Sequence, residues 1–195
     1  MSKIKNVTVA GSGVLGFQIA FQTAIHGFET TVYDISDEVL EKAKAKFEGL
    51  AESHKKDLGA TEEQITKARE RLHYSSDLAF AVKDADLLIE AVPEDIKIKT
   101  EFYKQLSAIA PEKTIFVSNS STLLPSQFAE VTGRPAQYLN LHFANQIWLR
   151  NTAEIMPHPG TDEKISEEIV DFSKAIGMVP IAFEKSTISS DIFSS

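Results

Sequence analysis

The stretch from residue 4 to residue 34, IKNVTVAGSGVLGFQIAFQTAIHGFETTVYD, decides how the rest of the chain is arranged. It begins with a short apolar run rich in β-branched residues, which is typical of a buried strand. A glycine-rich turn follows at residues 11–16, and apolar residues then recur at three- and four-residue steps, which predicts a helix. His26 and Gly27 end this helix, and residues 30–33 read as a second strand.

The glycine-rich turn has the residue types of a dinucleotide-binding loop. It consists of Gly11, Ser12, Gly13, Val14, Leu15 and Gly16. In such loops the first glycine permits a tight turn, the second lets the backbone approach a pyrophosphate, and the third lets the helix pack closely on the strand. The helix N-terminus also offers unpaired N–H groups. A glycine-rich turn of some other α/β protein is the alternative, but the flanking strand and helix favour the dinucleotide site.

An acidic residue stands where such a site needs one. Asp34 follows Gly16 by eighteen residues, at the end of the second predicted strand. Its carboxylate can accept hydrogen bonds from the adenosine ribose hydroxyls, and its charge would repel a 2′-phosphate. The sequence therefore predicts NAD rather than NADP as the cofactor.

Composition sets broad limits on the function. The 195 residues suffice for one large α/β domain, and the net charge of −8 argues against nucleic acid as a partner. The chain has no cysteine, which excludes disulfides, thiol catalysis and Cys-ligated metals, and no metal site is predicted. Because no apolar run approaches membrane-spanning length and no signal-peptide pattern begins the chain, we expect a cytoplasmic protein without a membrane partner.

Strand and helix patterns alternate through most of the chain. This alternation predicts an α/β fold of the Rossmann type, with a doubly wound, mostly parallel sheet. After Asp34 the next strand is so distant that we expect an inserted pair of helices, at residues 37–56 and 61–72. The first of them carries Lys42, Lys44, Lys46, Lys55 and Lys56. This lysine face is either a solvated surface or a landing site for an anionic substrate tail.

His142 is the main candidate for an acid–base residue. It lies at the end of a predicted strand, on the rim where ligands bind in such sheets. Glu154 follows on the predicted return strand, where its carboxylate can fix the imidazole tautomer. Ser121, in a polar loop at the end of a neighbouring strand, could hydrogen-bond a substrate oxygen. By position alone, a structural role for His142 is an equal alternative. The other histidines lack a predicted carboxylate partner like Glu154, and we interpret them as structural. They are His26, His54, His73 and His158.

Five sequence blocks together resemble the NAD-binding domain of 3-hydroxyacyl-CoA dehydrogenases. They are VAGSGVLGFQIA (9–20), IEAVPEDIKIK (89–99), FVSNSSTL (116–123), LHFANQIWLRNTAEIM (141–156) and DFSKAIGMVP (171–180). The resemblance runs in order from residue 4 to about residue 183. It implies NAD-dependent oxidation of L-3-hydroxyacyl-CoA to 3-ketoacyl-CoA, or the reverse, which is a reaction of fatty acid β-oxidation.

The resemblance also implies roles for single residues. It makes His142 the catalytic base and Glu154 its partner. It also implies residues that lie at the cofactor or at the junction of cofactor and substrate, namely Glu94, Lys99, Ser121 and Asn145. It further implies that the inserted helices contact the coenzyme A of an acyl-CoA substrate, which favours the landing-site interpretation of the lysine face.

Two departures from the family pattern are visible. The usual block HFFNP reads HFANQ at residues 142–146, so Gln146 replaces the proline. The family also continues, after the last strand, with an active-site asparagine and a dimerising helical domain, whereas this chain reads EKSTISSDIFSS (184–195) with Ile192 at that position. We therefore expect residues 1–185 to form an NAD-binding Rossmann domain and residues 186–195 to form a short tail. Self-association stays open, and we expect turnover to be impaired without the second wall of the cleft.

Three functions compete on this basis. The first is an NAD-dependent 3-hydroxyacyl-CoA dehydrogenase, or its cofactor domain. The second is a non-catalytic module that binds NAD or acyl-CoA. The third is a dehydrogenase of the same architecture that acts on another hydroxyacid.

Overall fold

A computed structural model describes residues 3–184, which contain one eight-stranded sheet. Its strands are β1 (Asn6–Ala10), β2 (Glu29–Tyr33), β3 (Leu72–Ser75), β4 (Leu87–Glu90), β5 (Ile115–Ser118), β6 (Tyr138–Phe143), β7 (Thr152–Pro157) and β8 (Val179–Ala182). They lie in the order β3-β2-β1-β4-β5-β6-β7-β8. All neighbouring strands are parallel except β6 and β7, which are antiparallel.

Helices cover both faces of this sheet. They are α1 (Val14–Ile25), α2 (Asp37–Lys44), α3 (Phe47–Leu58), α4 (Glu62–Arg71), α5 (Leu78–Val82), α6 (Ile96–Ile109) and α7 (Glu163–Ala175). Successive side chains of β4 point to opposite faces of the sheet, and both faces are buried. Leu87 and Ile89 join the core cluster under α1 and α7, while Leu88 joins the cluster under α5 and α6. The prediction of a doubly wound, mostly parallel Rossmann-type sheet is confirmed.

The strand order reverses between β1 and β4. The chain leaves β1 toward β2 and β3 on one side, and it continues from β4 toward β5 and β6 on the other. In open α/β sheets ligands bind at such a reversal, beyond the carboxyl ends of the strands. The reversal brings the glycine-rich turn after β1 beside the segment after β4, and the Ala91 N–H donates to the Ala10 carbonyl oxygen at 2.7 Å.

The insertion after β2 has three helices rather than the predicted two. The helix expected at residues 37–56 is broken at Ala45 and Lys46, between α2 and α3. No glycine or proline marks this break, so the sequence pattern gave no sign of it. Lys46 turns toward the glycine-rich loop, where its Nζ donates to the Ser12 carbonyl oxygen at 3.2 Å. The next helix, α4, begins as predicted, with a capping box between Thr61 and Gln64.

The segment after β5 contains a 3₁₀ turn at Pro125–Gln127. The predicted tail at 186–195, including Ile192, lies outside the described residues. No helix among residues 3–184 is long and apolar enough to cross a membrane.

Candidate active site

A groove of about 960 Å³ follows the carboxyl ends of β1, β2 and β4. The glycine-rich loop and Asp34 form one wall, and residues 91–93 with α6 form the other. Apolar side chains, among them Ile35, Val39 and Ile98, line the part beyond Asp34. This shape suits an extended ligand that has a flat apolar ring at one end and charged or hydroxylated groups along its length.

The glycines of the loop are required by close backbone contacts. Gly11 has φ +102°, and a Cβ on it would lie 2.4 Å from the Ala91 carbonyl oxygen. A Cβ on Gly16 would lie 1.9 Å from the Gly11 carbonyl oxygen. A Cβ on Gly13 would meet nothing within 4 Å, so its outer side is open for a ligand to approach the backbone. The contacts of Gly11 and Gly16 agree with a tight turn and with close packing of the helix, while the approach of a pyrophosphate at Gly13 stays a prediction.

The start of α1 is suited to an anion. Gly13 is the N-cap and the first turn contains no acidic residue, so its unpaired N–H groups face no competing carboxylate of that turn. Val14 is 63% exposed beside this end, whereas Leu15 packs against the core and anchors the helix. The loop therefore fits the diphosphate of a dinucleotide.

Asp34 is held against the glycine-rich loop. Its Oδ2 accepts hydrogen bonds from the Ser12 N–H at 2.7 Å and from Ser12 Oγ at 2.6 Å. Its Oδ1 accepts from the Ile35 N–H at 2.8 Å. The carboxylate thus has a fixed place in the groove, where a ribose hydroxyl can reach it. Lys42 and Lys46 line the same groove.

The charge of Asp34 should set the coenzyme preference. With Asp34→Asn, we expect the preference for NAD over NADP, measured as the ratio of the two dissociation constants, to fall by about 10-fold. The physical reason is that the repulsion of a 2′-phosphate disappears while Lys46 remains to attract it. Asp37→Asn, which changes a carboxylate on the nearby α2 outside the groove, is the control. An unchanged ratio in the Asp34 variant would remove the ribose argument.

His142 and Glu154 are directly opposed on the antiparallel strands β6 and β7. The imidazole Nδ1 lies 2.8 Å from the Glu154 Oε2. Because a carboxylate only accepts hydrogen bonds, Nδ1 carries the proton and the lone pair of a neutral ring is on Nε2. No described residue hydrogen-bonds to Nε2, and the side chain is 24% exposed. The pair is therefore arranged to take a proton from a ligand through Nε2.

Ser121 lies in the loop after β5, and its two neighbours are held by one carboxylate. Glu94 Oε1 accepts hydrogen bonds from Ser120 Oγ and, at 2.9 Å, from Thr122 Oγ1. Burial would raise the pKa of Glu94, but the hydrogen bonds from Ser120 and Lys99 outweigh this effect and lower it, so the carboxylate stays ionised. The Ser121 hydroxyl has no hydrogen-bond partner within residues 3–184, which leaves it available to a ligand.

Lys99 lies behind this loop rather than in the groove. It is 1% exposed, and its Nζ contacts Glu90 Oε1 at 2.6 Å, Glu90 Oε2 at 2.8 Å and Glu94 Oε2 at 3.1 Å. The predicted direct role of Lys99 in binding the cofactor does not fit this arrangement, because these carboxylate oxygens occupy its ammonium. Its contact with the site passes through Glu94.

Asn145 follows β6 and lies on the same rim as His142. Its Oδ1 accepts a hydrogen bond from Gln18 Nε2 at 2.8 Å, which ties the loop after β6 to α1. The loop after β5 is tied to the same region, because the Phe143 N–H donates to Asn119 Oδ1 at 2.9 Å. The predicted active-site residues from three separate segments are thus brought to one end of the sheet.

Comparison with known proteins identifies the family. The family described as "3-hydroxyacyl-CoA dehydrogenase, NAD binding domain" matches residues 6–187. The chain belongs to this family. NAD is accordingly its cofactor, and the glycine-rich loop, the start of α1 and Asp34 fit that dinucleotide.

Relatives of the chain are longer than the chain itself. Human mitochondrial hydroxyacyl-coenzyme A dehydrogenase is 35% identical over 187 residues, which cover 92% of this chain and 59% of the human protein. A solved structure described as "Substrate-directed dual catalysis of dicarbonyl compounds by diketoreductase" is 53% identical, with a TM-score of 0.93, and the match covers 96% of this chain and 66% of that one. The 3-hydroxybutyryl-CoA dehydrogenase of Escherichia coli K12 is 27% identical, with a TM-score of 0.87, over 92% of this chain and 38% of that one.

Three of the five lysines in the lysine face pair with carboxylates in this member of the 3-hydroxyacyl-CoA dehydrogenase family. Lys42 pairs with Glu38 at 2.7 Å, and Lys44 pairs with Glu41 at 2.6 Å. Lys55 contacts both Glu52, at 3.0 Å, and Glu62, at 2.5 Å. These ion pairs are solvated and neutralise the lysines locally, so they weaken the prediction of a landing site for an anionic tail.

The prediction that the other histidines lack comparable partners needs one correction in the described part of the chain. His73 does have a carboxylate partner, because its Nε2 lies 3.0 Å from Glu29 Oε2. This second His–Glu pair joins β2 and β3 on the surface, away from the groove. His54 is buried, which lowers its pKa, and its Nδ1 donates to the Leu50 carbonyl oxygen. No cluster of three or more His, Asp or Glu residues between positions 3 and 184 could hold a metal ion.

Sequence reasoning missed Gln18, and it missed the contacts that Asn119 and Lys46 make in the site of this dehydrogenase-family domain. Gln18 holds Asn145, Asn119 holds the strand that carries His142, and Lys46 contacts the glycine-rich loop. Only Gln18 left a signal, because it is an amide inside the apolar stretch VLGFQIAFQTAI at residues 14–25. A buried amide in such a helix needs a partner elsewhere in the fold.

Proposed function

We propose that this chain is the NAD-binding, catalytic part of a dehydrogenase that interconverts an L-3-hydroxyacyl-CoA and the matching 3-ketoacyl-CoA. The observation that carries the proposal is the His142–Glu154 pair at 2.8 Å, on the rim that also bears the dinucleotide groove. Membership of the 3-hydroxyacyl-CoA dehydrogenase family supports the same reaction.

In the oxidation direction, His142 Nε2 takes the proton of the substrate hydroxyl. Throughout the reaction, Glu154 accepts a hydrogen bond from the Nδ1–H of His142. The imidazolium that forms therefore lies against a negative charge. The Ser121 hydroxyl donates a hydrogen bond to the substrate oxygen. NAD supplies the hydride acceptor for the same carbon. In the reverse direction His142 returns the proton to the oxygen of the carbonyl group.

A second candidate is the reduction of dicarbonyl compounds that carry no coenzyme A. It is favoured by the 53% identity to a diketoreductase, against 35% to the human acyl-CoA enzyme. The lysines of the inserted helices also favour it, because Lys42, Lys44 and Lys55 are each neutralised by neighbouring carboxylates. A 1,3-dicarbonyl presents the same chemistry to His142 as a 3-ketoacyl group does.

One assay separates these candidates. NADH oxidation is measured at high protein concentration with acetoacetyl-CoA and, in parallel, with pentane-2,4-dione, and free coenzyme A is added as a competitor. The first proposal expects faster reduction of acetoacetyl-CoA and inhibition by coenzyme A. Faster reduction of the dione without such inhibition supports the second candidate. If neither compound is reduced while NADH still binds, the chain by itself is a non-catalytic binding module.

Several expectations stay predictions. The division into a domain at 1–185 and a tail at 186–195 is one of them, as is the effect of the family's helical domain on turnover and self-association. The cytoplasmic location is another, since named relatives include mitochondrial enzymes.

A further inference from the structure

Gln18 is a buried amide on α1 whose two ends both reach the loop that carries Asn145. The side chain is 7% exposed. Its Nε2 donates to Asn145 Oδ1 at 2.8 Å, and its Oε1 accepts from the Gln146 N–H at 2.9 Å. Burying an amide costs free energy unless both its ends are satisfied, so these two hydrogen bonds account for the burial of Gln18.

The hydrogen bonds fix which end of the Asn145 amide faces outward. Asn145 Oδ1 accepts from Gln18 Nε2 and also from the Gln146 N–H, at 3.0 Å. Both donors approach the same oxygen, so the Nδ2 group must point away from them. No residue between positions 3 and 184 accepts a hydrogen bond from Nδ2, and Asn145 is exposed on the rim three residues after His142. The side chain therefore offers N–H donors, and not an acceptor, to a ligand.

The backbone at Gln146 takes part in the same arrangement. Gln146 has φ +60°, the one positive φ among the described non-glycine residues. Such a conformation is uncommon for a residue with a side chain and persists where surrounding contacts hold it. Here the turn directs the Gln146 N–H at Gln18 and Asn145 together.

We infer that Gln18 is a positioning residue of the active site: it holds the Asn145 amide so that Nδ2 donates a hydrogen bond to a carbonyl oxygen. That oxygen belongs either to the carboxamide of the nicotinamide or to the substrate. The inference rests on the proposed function only where it concerns the substrate.

The test variant is Gln18→Glu, which keeps the shape of the side chain but removes its N–H donors. A carboxylate at this place can still accept from the Gln146 N–H, and it attracts Asn145 Nδ2 in place of Oδ1. The Asn145 amide then turns over and presents an oxygen to the ligand. Gln18→Met, which removes both hydrogen bonds at similar volume, is the second variant if the buried carboxylate prevents folding.

The chain provides a matched control one helical turn further on. Gln22 is 2% exposed on the same helix, and its Nε2 donates to the Ile176 carbonyl oxygen. Its Oε1 lies 3.2 Å from His54 Nε2. Gln22→Glu therefore places a buried carboxylate on the same helix without a contact to Asn145. Any effect that the two variants share comes from folding and not from the active site.

Two measurements distinguish the sources of the carbonyl oxygen. The first compares the affinity for NADH with that for ADP-ribose, which lacks the nicotinamide. The second compares kcat and KM for the better substrate of the assay above. If the oxygen is the carboxamide, Gln18→Glu weakens NADH binding by about 10-fold and leaves ADP-ribose binding unchanged. If it is the substrate oxygen, NADH binding stays and kcat falls by about 10-fold.

A double variant completes the test, because it shows whether the effects of the two substitutions add. Because Gln18 acts through Asn145, adding Gln18→Glu to Asn145→Ala should cause no further loss. The inference is overturned if folded Gln18→Glu retains both NADH affinity and kcat, if Gln22→Glu has the same effect, or if the losses of Gln18→Glu and Asn145→Ala multiply. If the unaltered protein reduces neither substrate, the proposed function fails, and the inference then depends on the comparison of NADH with ADP-ribose alone.

Discussion

Replacing His142 with glutamine is expected to lower the rate of NADH oxidation by about 10²–10⁴-fold, because the site loses its proton-transfer group. Glutamine can still donate to Glu154, so the strand pair β6–β7 should keep its geometry. The affinity for NAD should be nearly unchanged, since the glycine-rich loop and Asp34 belong to other segments of the chain. The measurements are steady-state kinetics on both candidate substrates and calorimetric titration with NAD.

The second His–Glu pair provides the control for this experiment. His73 and Glu29 make the same type of contact, at 3.0 Å, on the surface and away from the groove. His73→Gln should leave both the rate and the NAD affinity unchanged. If His142→Gln keeps the full rate, His142 is not the base. If both variants lose activity alike, the effect is one of folding.

Replacing Lys99 with methionine is expected to lower the free energy of unfolding by about 3–5 kcal/mol. The methionine has similar length, but it leaves the carboxylate of Glu90 buried without its cation. Burial raises the pKa of Tyr103 well above its ordinary value, so this residue stays protonated and donates to Glu90 Oε2 at 3.0 Å. Ser118 Oγ donates to the same oxygen at 2.7 Å. Neutral hydrogen bonds of this kind cannot replace the charge of the ammonium.

Urea denaturation of three variants checks this expectation. Lys104→Met, an exposed change on the same helix, should alter the free energy of unfolding by less than about 1 kcal/mol. Glu90→Gln combined with Lys99→Met should recover part of the loss, because the unpaired charge is then removed. A Lys99→Met protein as stable as the unaltered chain would show that the buried ion pair contributes little. The same variant should also loosen Ser121, since Glu94 loses its contact with Lys99.

The cofactor half of the site was predictable because its chemistry is local. The spacing of the glycines and Asp34 is set within one strand–helix–strand unit, so the sequence alone places them in one loop. The clash that a Cβ would make at Gly16 is local, because it involves the Gly11 carbonyl oxygen, whereas the clash at Gly11 involves Ala91 in the segment after β4. The start of α4 after Thr61 is local in the same sense, and it agrees with the predicted helix at residues 61–72.

The supporting contacts of the site could not be predicted in this way. Gln18 and Asn145 are far apart in the sequence, and so are Glu94 and the loop of Ser121. Lys99 was assigned to the cofactor site, and the lysine face to coenzyme A, by family resemblance, which gives positions but not hydrogen-bond partners. Within the lysine face, the pairs of Lys42 with Glu38 and of Lys44 with Glu41 have i,i+4 and i,i+3 spacing on one helix, so they are local. The contact of Lys55 with Glu62 joins two helices and depends on their packing, as does the break between α2 and α3.

The resemblance to a known family, and not position alone, favoured His142 and Glu154 as the acid–base pair. The amino-acid sequence by itself indicated the alternation of strands and helices, the dinucleotide loop and the acid at Asp34. These features depend on residue type and short spacing, which fix local backbone geometry and hydrophobic periodicity. Only the tertiary structure decided that His142 and Glu154 are opposed in register, that Lys99 is buried behind Glu94, and that Gln18 holds the Asn145 amide. Such contacts join segments whose separation is set by the packing of the whole sheet, and no local pattern encodes that distance.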